Sequence, residues 1–230
     1  EGIRGTQSVD IMNGDDGNNR FRGLGGADVI DGRGGIDTVD YSRDAANGGG
    51  IQGVTVNLAT GIGKDGFGHQ DLIFNVENVI GTETVDQLTG SSGVNKLEGR
   101  GGNDTLIGGL GADTLVGGAG NDVFRFTNVA DGGDFIWDFV KGQDRVQISA
   151  SGFSGAGLVG SAAGTMVTAA QFLSVASGHT ATTAGQRFIF DQSTDQLWFD
   201  SNGIAAGGDV LIATFTNNPN LANTDLFLIL

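Results

Sequence analysis

Asp86, Asn95, Asp104, Asp113 and Asp122 stand nine residues apart, and Asp10, Asn19, Asp28 and Asp37 do the same nearer the start. Carboxylate and amide oxygens at one strict spacing are ligands for a hard cation, because a chain that retraces its path brings them into files. At roughly 5 Å and an effective dielectric of about 20, two neighbouring carboxylates in a file repel by on the order of 3 kcal/mol. That is several times what one small core residue contributes in a thin β-layer. Such a chain is expected to stay unfolded without a cation and to fold with one, metal binding and folding being one equilibrium. Calcium suits a flexible oxygen cage better than magnesium does, and the absence of cysteine leaves oxygen as the ligand type.

The elements that must position these ligands follow from the same period. Residues 81–125 divide into GTETVDQLT, GSSGVNKLE, GRGGNDTLI, GGLGADTLV and GGAGNDVFR, and residues 5–40 into GTQSVDIMN, GDDGNNRFR, GLGGADVID and GRGGIDTVD. Asp or Asn is sixth in each unit, and an apolar residue is eighth: Met12, Phe21, Ile30 and Val39, then Leu88, Leu97, Leu106, Leu115 and Phe124. Glycines permit the positive φ of sharp turns, so each GGxGx run reads as a turn and each DxUx run as a short strand. One reliably apolar residue per strand predicts an all-β fold, a flattened parallel solenoid with successive coils about 4.8 Å apart. Ligands two units apart then meet along each edge: Asp10 with Asp28, Asn19 with Asp37, Asp86 with Asp104, Asn95 with Asp113, and Asp104 with Asp122. About five shared calcium sites follow, with one or two more at block ends.

The expected ligands are the side chains just named and turn carbonyls. The turn glycines are Gly23, Gly25, Gly26, Gly32, Gly34 and Gly35 in the first run, and Gly99, Gly101, Gly102, Gly108, Gly109, Gly111, Gly117, Gly118 and Gly120 in the second. GTQS lacks glycine at the second and fourth places, and Asn19 and Asn95 bring no charge. Asp15 and Asp16 either compensate for Asn19 or are solvated turn acids.

The units resemble GGxGxDxUx, the nonapeptide of the RTX, or haemolysin-type calcium-binding, family. The resemblance implies a right-handed parallel β-roll in two RTX blocks with a β-rich C-terminal cap, and export through a bacterial type I secretion machinery. GVTVNLATG followed by DLIFNVENVIG resembles the segment that joins two RTX blocks. Its alternation predicts longer strands over 53–59 and 71–81 with a loop over 61–70, and Asp71 is either an extra ligand or a surface acid. DFIWDFVKGQDRVQI (134–148) resembles the sequence that follows RTX blocks. A cap there would cover an edge that otherwise templates aggregation. Phe135, Trp137 and Phe139 are expected in the cap core, and Asp134 or Asp138 to close a last calcium site. TDLFLIL (224–230) resembles an uncleaved type I secretion signal and also reads as a final strand. The organisation expected is block 1 over 1–41, an inter-block segment over 42–80, block 2 over 81–125, and the cap with secretion signal over 126–230.

Of 230 residues 43 are glycine and one is proline, and the formal net charge is -15. A flexible linker would not place Asp and an apolar residue at fixed offsets. The acidity argues against nucleic acid and anionic membrane as partners, and no apolar run is long enough to span a bilayer, so membrane insertion is not expected. Glu1 falls inside a repeat, which reads as the cut end of a longer protein. GIGKDG (61–66) spells GxGxxG, but no helical pattern follows, which excludes dinucleotide binding. His69 and His179 lie far apart, without HExxH or CxxC, so zinc chemistry has no support. Beyond residue 148 the pattern predicts a short helix over 168–176, a hairpin from RFIF and QLWFD, and a strand from DVLIATF. Asp191, Ser193 and Asp195 imitate the start of an EF-hand loop without its glycine or terminal glutamate, and read as turn residues.

With no GxSxG, metalloprotease motif or isolated carboxylate pair, the fragment is not expected to be an enzyme. The function expected is a module of a larger exported bacterial protein that folds on extracellular calcium and supports type I secretion. The alternatives are the stabilising or polysaccharide-gripping tail of a secreted enzyme (serralysin-like protease, lipase or alginate epimerase), and the scaffold of a surface-layer or adhesin protein at the cell surface.

Overall fold

Each nonapeptide supplies one turn and one short strand, and successive strands fall alternately into two sheets. The computed structural model describes residues 1–43, 52–153, 158–205 and 207–230. Residues 44–51 of the inter-block segment, 154–157 and 206 lie outside the described residues. In chain order the strands of the first run are β1 (Gly2–Arg4), β2 (Ile11–Asn13), β3 (Arg20–Arg22), β4 (Val29–Asp31) and β5 (Thr38–Asp40). Between the runs lie β6 (Thr55–Asn57), β7 (Ile62–Lys64), β8 (Gln70–Phe74) and β9 (Asn78–Ile80). The second run gives β10 (Gln87–Thr89), β11 (Lys96–Gly101), β12 (Thr105–Ile107), β13 (Thr114–Ala119) and β14 (Val123–Phe126). Then come β15 (Asp134–Ile136), β16 (Arg145–Ser149), β17 (Thr165–Met166), β18 (Phe172–Val175), β19 (Phe188–Asp191), β20 (Gln196–Asp200), β21 (Asp209–Phe215) and β22 (Leu226–Ile229). No α-helix occurs among the described residues.

Among the described residues both sheets have 11 strands. One runs β1-β3-β5-β9-β11-β13-β15-β21-β20-β19-β18, the other β17-β22-β16-β14-β12-β10-β6-β7-β8-β4-β2. Inside the repeats every pairing is parallel and joins strands two units apart, as in Leu88↔Leu106 and Leu97↔Leu115. Because side chains alternate across a strand, the eighth-place residue turns inward each time: Phe21, Ile30, Val39, Leu88, Leu97, Leu106, Leu115 and Phe124 are fully buried. The core is thus a double row one side chain thick. Leu106 is in register with Leu88 on one side and Phe124 on the other, so Leu106→Ala is expected to leave a cavity costing about 2–5 kcal/mol. A fall in the thermal unfolding midpoint of the calcium-loaded protein would measure it.

The turns close as tightly as the glycines allow. Gly102 has φ 117°, and a Cβ there would lie 2.5 Å from the carbonyl carbon of Thr84 in the coil below. Alanine at that place meets strain and collision together.

Five sequence expectations are corrected. Residues 61–70 are not all loop: β7 lies antiparallel between β6 and β8, so the chain makes a three-strand meander before resuming the parallel stack. The strand expected over 71–81 breaks at Asn75, whose φ of 51° turns the chain from one sheet into the other, and only 55–57 of the strand expected over 53–59 is extended. The helix expected over 168–176 is replaced by β18, whose pairing with β19 overrides a weak local preference. Phe135 and Trp137 are exposed, 42% and 56%, because the alternation in β15 turns Asp134 and Ile136 inward; of the three aromatics only Phe139 is core. The hairpin and the two last strands form as expected, with β19 and β20 antiparallel and β22 parallel to β16.

Candidate metal centre

The sixth-place residue precedes its strand's core residue by two, so it also turns inward, beneath the turn. The result is two files of side chains, one along each edge. Along each file a carboxylate accepts the backbone N–H of the file residue one coil before it. On the first edge Asp10 N–H donates to Asp28 Oδ1 at 2.9 Å and Asp28 N–H to Asp71 Oδ1 at 3.0 Å. Beyond the meander Asp86 donates to Asp104 at 2.8 Å, Asp104 to Asp122 at 2.9 Å and Asp122 to Asp144 at 2.8 Å. On the second edge Asn19 donates to Asp37 at 2.7 Å, Asp37 to Glu77 Oε2 at 2.8 Å, Asn95 to Asp113 at 2.7 Å and Asp113 to Asp134 at 3.0 Å. All five pairs expected from the two-unit spacing are brought together.

Only one oxygen of each carboxylate is used in this ladder. The Oδ2 atoms of Asp28, Asp37, Asp104, Asp113, Asp122 and Asp134 are buried with no hydrogen-bond partner. An unsatisfied buried polar atom costs about 1–3 kcal/mol, more when charged, so six in one small fold call for a partner. A Cβ placed on Gly99 would meet Asp104 Oδ2 and, at 2.6 Å, the Gly117 carbonyl; one on Gly108 would meet Asp113 Oδ2 and, at 2.7 Å, Asp134 Oδ2. Carboxylate and carbonyl oxygens converge in this way on Gly5, Gly32, Gly81 and Gly99, and an amide and a carbonyl oxygen on Gly14 and Gly90, in space that any larger residue would fill. That donor set is the one calcium takes.

Burial dominates the electrostatics. It pushes the carboxyls of Asp113 and Asp122 up to about 6, those of Asp71 and Asp104 to about 7, and that of Asp134 to about 8. Backbone N–H bonds oppose the shift without cancelling it, and neighbouring carboxylates add to it, as Asp86 and Asp122 do for Asp104. Among the described residues no three His, Cys, Asp or Glu side chains converge on one point. A cation here would be held by one or two side chains completed by backbone carbonyls, a donor set unlike that of a zinc site.

Not every expected ligand is open. Thr6 and Thr82, which replace the second glycine of their turns, satisfy Asp10 and Asp86 with both N–H and hydroxyl. Tyr41 hydroxyl donates to Asp71 Oδ2 at 2.9 Å, so that buried acid has joined the first file with its second oxygen already engaged. Asn19 and Asp15 bond each other, and Asn95 Oδ1 accepts from Ser91. Asp134 takes the end of the second file, whereas Asp138 accepts from Gly117 and Gly118 N–H. Asp191 accepts from the Ser193 N–H and hydroxyl in an ordinary turn.

Glu77 and Asp144 were not anticipated. An acid two places before a buried apolar residue, Val79 and Val146 respectively, is the signal that finds both without any glycine.

The family model of the RTX calcium-binding nonapeptide repeat (4 copies) matches residues 4–39 and 80–124. No curated protein matches the chain. The solution structure of the AlgE6R3 subunit from the Azotobacter vinelandii mannuronan C5-epimerase is similar at 19% identity and TM-score 0.33, over 96% of this chain and 79% of that one. The crystal structure of the extracellular lipase LipA from Serratia marcescens is similar at 18% identity and TM-score 0.30, over 99% of this chain and 40% of that one.

Proposed function

Starting from a chain that carries RTX calcium-binding nonapeptide repeats, we propose a non-catalytic module that folds when calcium fills its two edges. One observation carries the reading: six buried carboxylate oxygens without partners, two of which, on Asp37 and Asp104, converge with a backbone carbonyl on a turn glycine, and two more, on Asp113 and Asp134, with each other. Asp28, Asp37, Asp104, Asp113, Asp122 and Asp134 would supply the charge, and the carbonyls of the turns opened by Gly23, Gly32, Gly99, Gly108 and Gly117 the remaining oxygens, for about five ions. Bound calcium supplies positive charge that offsets the mutual repulsion of the files. The chain's own part is to hold the oxygens, through the N–H ladder, at a spacing set by the strands.

Sites of this kind in extracellular modules work at roughly 10⁻⁴ to 10⁻³ M, above the calcium of a cytosol. The module would remain unfolded inside a bacterium and wind up after export, consistent with a type I substrate and an extracellular location. Among the described residues no helix is long and apolar enough to cross a membrane. Far-ultraviolet circular dichroism of the chain, titrated with calcium from nil to millimolar, tests this. A strand signal that appears cooperatively is expected, and one already complete without calcium would overturn the proposal.

A further inference from the structure

We propose that Asp37 of the first run, with Asn75 and Glu77 from outside the nonapeptide pattern, builds a calcium site at the junction of the two repeat runs that makes the runs one folding unit. The inference rests on the calcium-dependent reading above.

Inside the repeats the opening glycine of one coil faces the carbonyl of the opening glycine two units later: Gly14 faces Gly32 O, and Gly99 faces Gly117 O, each 2.6 Å from the place a Cβ would take. At Gly32 the same two positions are filled by Asp37 Oδ2 and by the carbonyl of Asn75, which belongs to no repeat. Asn75 reaches that role through its left-handed φ of 51°, fixed by an Nδ2 bond to Asp31 Oδ1 at 2.8 Å, while Gly32 N–H donates to the Phe74 carbonyl at 2.9 Å. Two places on, Glu77 Oε2 accepts the Asp37 N–H at 2.8 Å, where a repeat would place an aspartate. The carboxylate thus follows its carbonyl by two places, against five in a repeat, and glutamate is longer than aspartate by one methylene.

Asp37 is fully buried and its Oδ2 has no partner, so an unsatisfied oxygen aims into this cradle. The Glu77 carbonyl in turn accepts from Asn95 Nδ2 at 2.7 Å, which continues the edge into the second run. The other edge has no such continuity. There Val54 stands where an acid would, its N–H donating to Asp86, and the second oxygen of Asp71 is closed by Tyr41. The edge through Glu77 is therefore the one able to carry ions past the meander.

Calorimetric calcium titration and thermal unfolding of the whole chain test this with three proteins: wild type, Glu77→Gln and Glu77→Asp. The glutamine variant would keep an oxygen for the Asp37 N–H and lose the charge. Glu77→Gln is expected to bind one calcium fewer, and to unfold in two transitions near the wild-type calcium midpoint. Glu77→Asp, which keeps the charge, is expected to retain the ion with about tenfold weaker binding. A Glu77→Gln protein that fails to fold while Glu77→Asp folds supports the same conclusion. If Glu77→Gln binds the wild-type number within twofold in affinity and melts in one transition, Glu77 is a hydrogen-bond acceptor only and the junction site is refuted. Wild type that takes up no calcium would instead overturn the reading on which this one stands.

Discussion

Freed of calcium, the protein is expected to be most ordered near pH 4 and least ordered near pH 8, the reverse of ordinary acid denaturation. Nine carboxyls, those of Asp28, Asp37, Asp71, Asp86, Asp104, Asp113, Asp122, Asp134 and Asp144, are raised above their ordinary value, burial being the largest cause in each. A carboxyl whose folded value lies above its unfolded one binds more protons in the folded state. Its contribution is complete below the unfolded value of about 4 and is lost as pH rises through the folded one, here as far as about 8. Asp40 works the other way. Against its own burial, bonds from Ser42 and Arg22 hold it below the usual range, so its contribution fades only below about pH 4. Nine groups outweigh the few of that kind. Circular dichroism of exhaustively dialysed protein across this range checks the expectation, and a strand signal that falls steadily from pH 8 to pH 4 would contradict it. Protons and calcium compete for the same oxygens, so apparent calcium affinity should drop more than tenfold between about pH 7.5 and pH 5.5.

Asp134→Asn should change sign with the metal. Asp134 Oδ2 and Asp113 Oδ2 converge on Gly108, both buried and unpartnered, and the Asp134 carboxyl stands at about 8. At pH 7 a rise from 3.8 to about 8 corresponds to on the order of 4 kcal/mol against folding. Asparagine keeps an oxygen for the Asp113 N–H and removes that penalty, so the calcium-free variant should be more stable than wild type. With calcium present the same change deletes one charged ligand, and affinity at that end should fall at least tenfold. Urea unfolding with and without calcium measures both. A variant less stable than wild type in both conditions would show that Asp134 acts by packing alone.

The repeat frame was legible because its two requirements are local. An apolar residue at the eighth place and an acid at the sixth fix which side chains turn inward, and the glycines fix where the chain turns. From that alone came the two-sheet parallel stack, the core from Phe21 to Phe124 and the juxtaposition of five pairs of sixth-place residues. Outside the frame, local pattern misled. Phe135 and Trp137 looked like core because they are aromatic, yet strand phase, which a one-residue shift reverses, put Asp134 and Ile136 inside. The 168–176 segment reads as helix on propensity, and β19 made it a strand by offering a complete hydrogen-bonding edge.

The candidate ligand types, their period and the expectation of a hard cation are read from the order of residues, since each follows from what neighbours along the chain can do. Which oxygens remain open was settled in large part by the wound coils. Thr6, Thr82 and Tyr41 close some of them, and Asn75 and Glu77 carry one edge across the junction. The threonine contacts span four residues within one turn, whereas those of Tyr41, Asn75 and Glu77 join residues that are close only after the chain has turned back on itself, and no spacing along it encodes them.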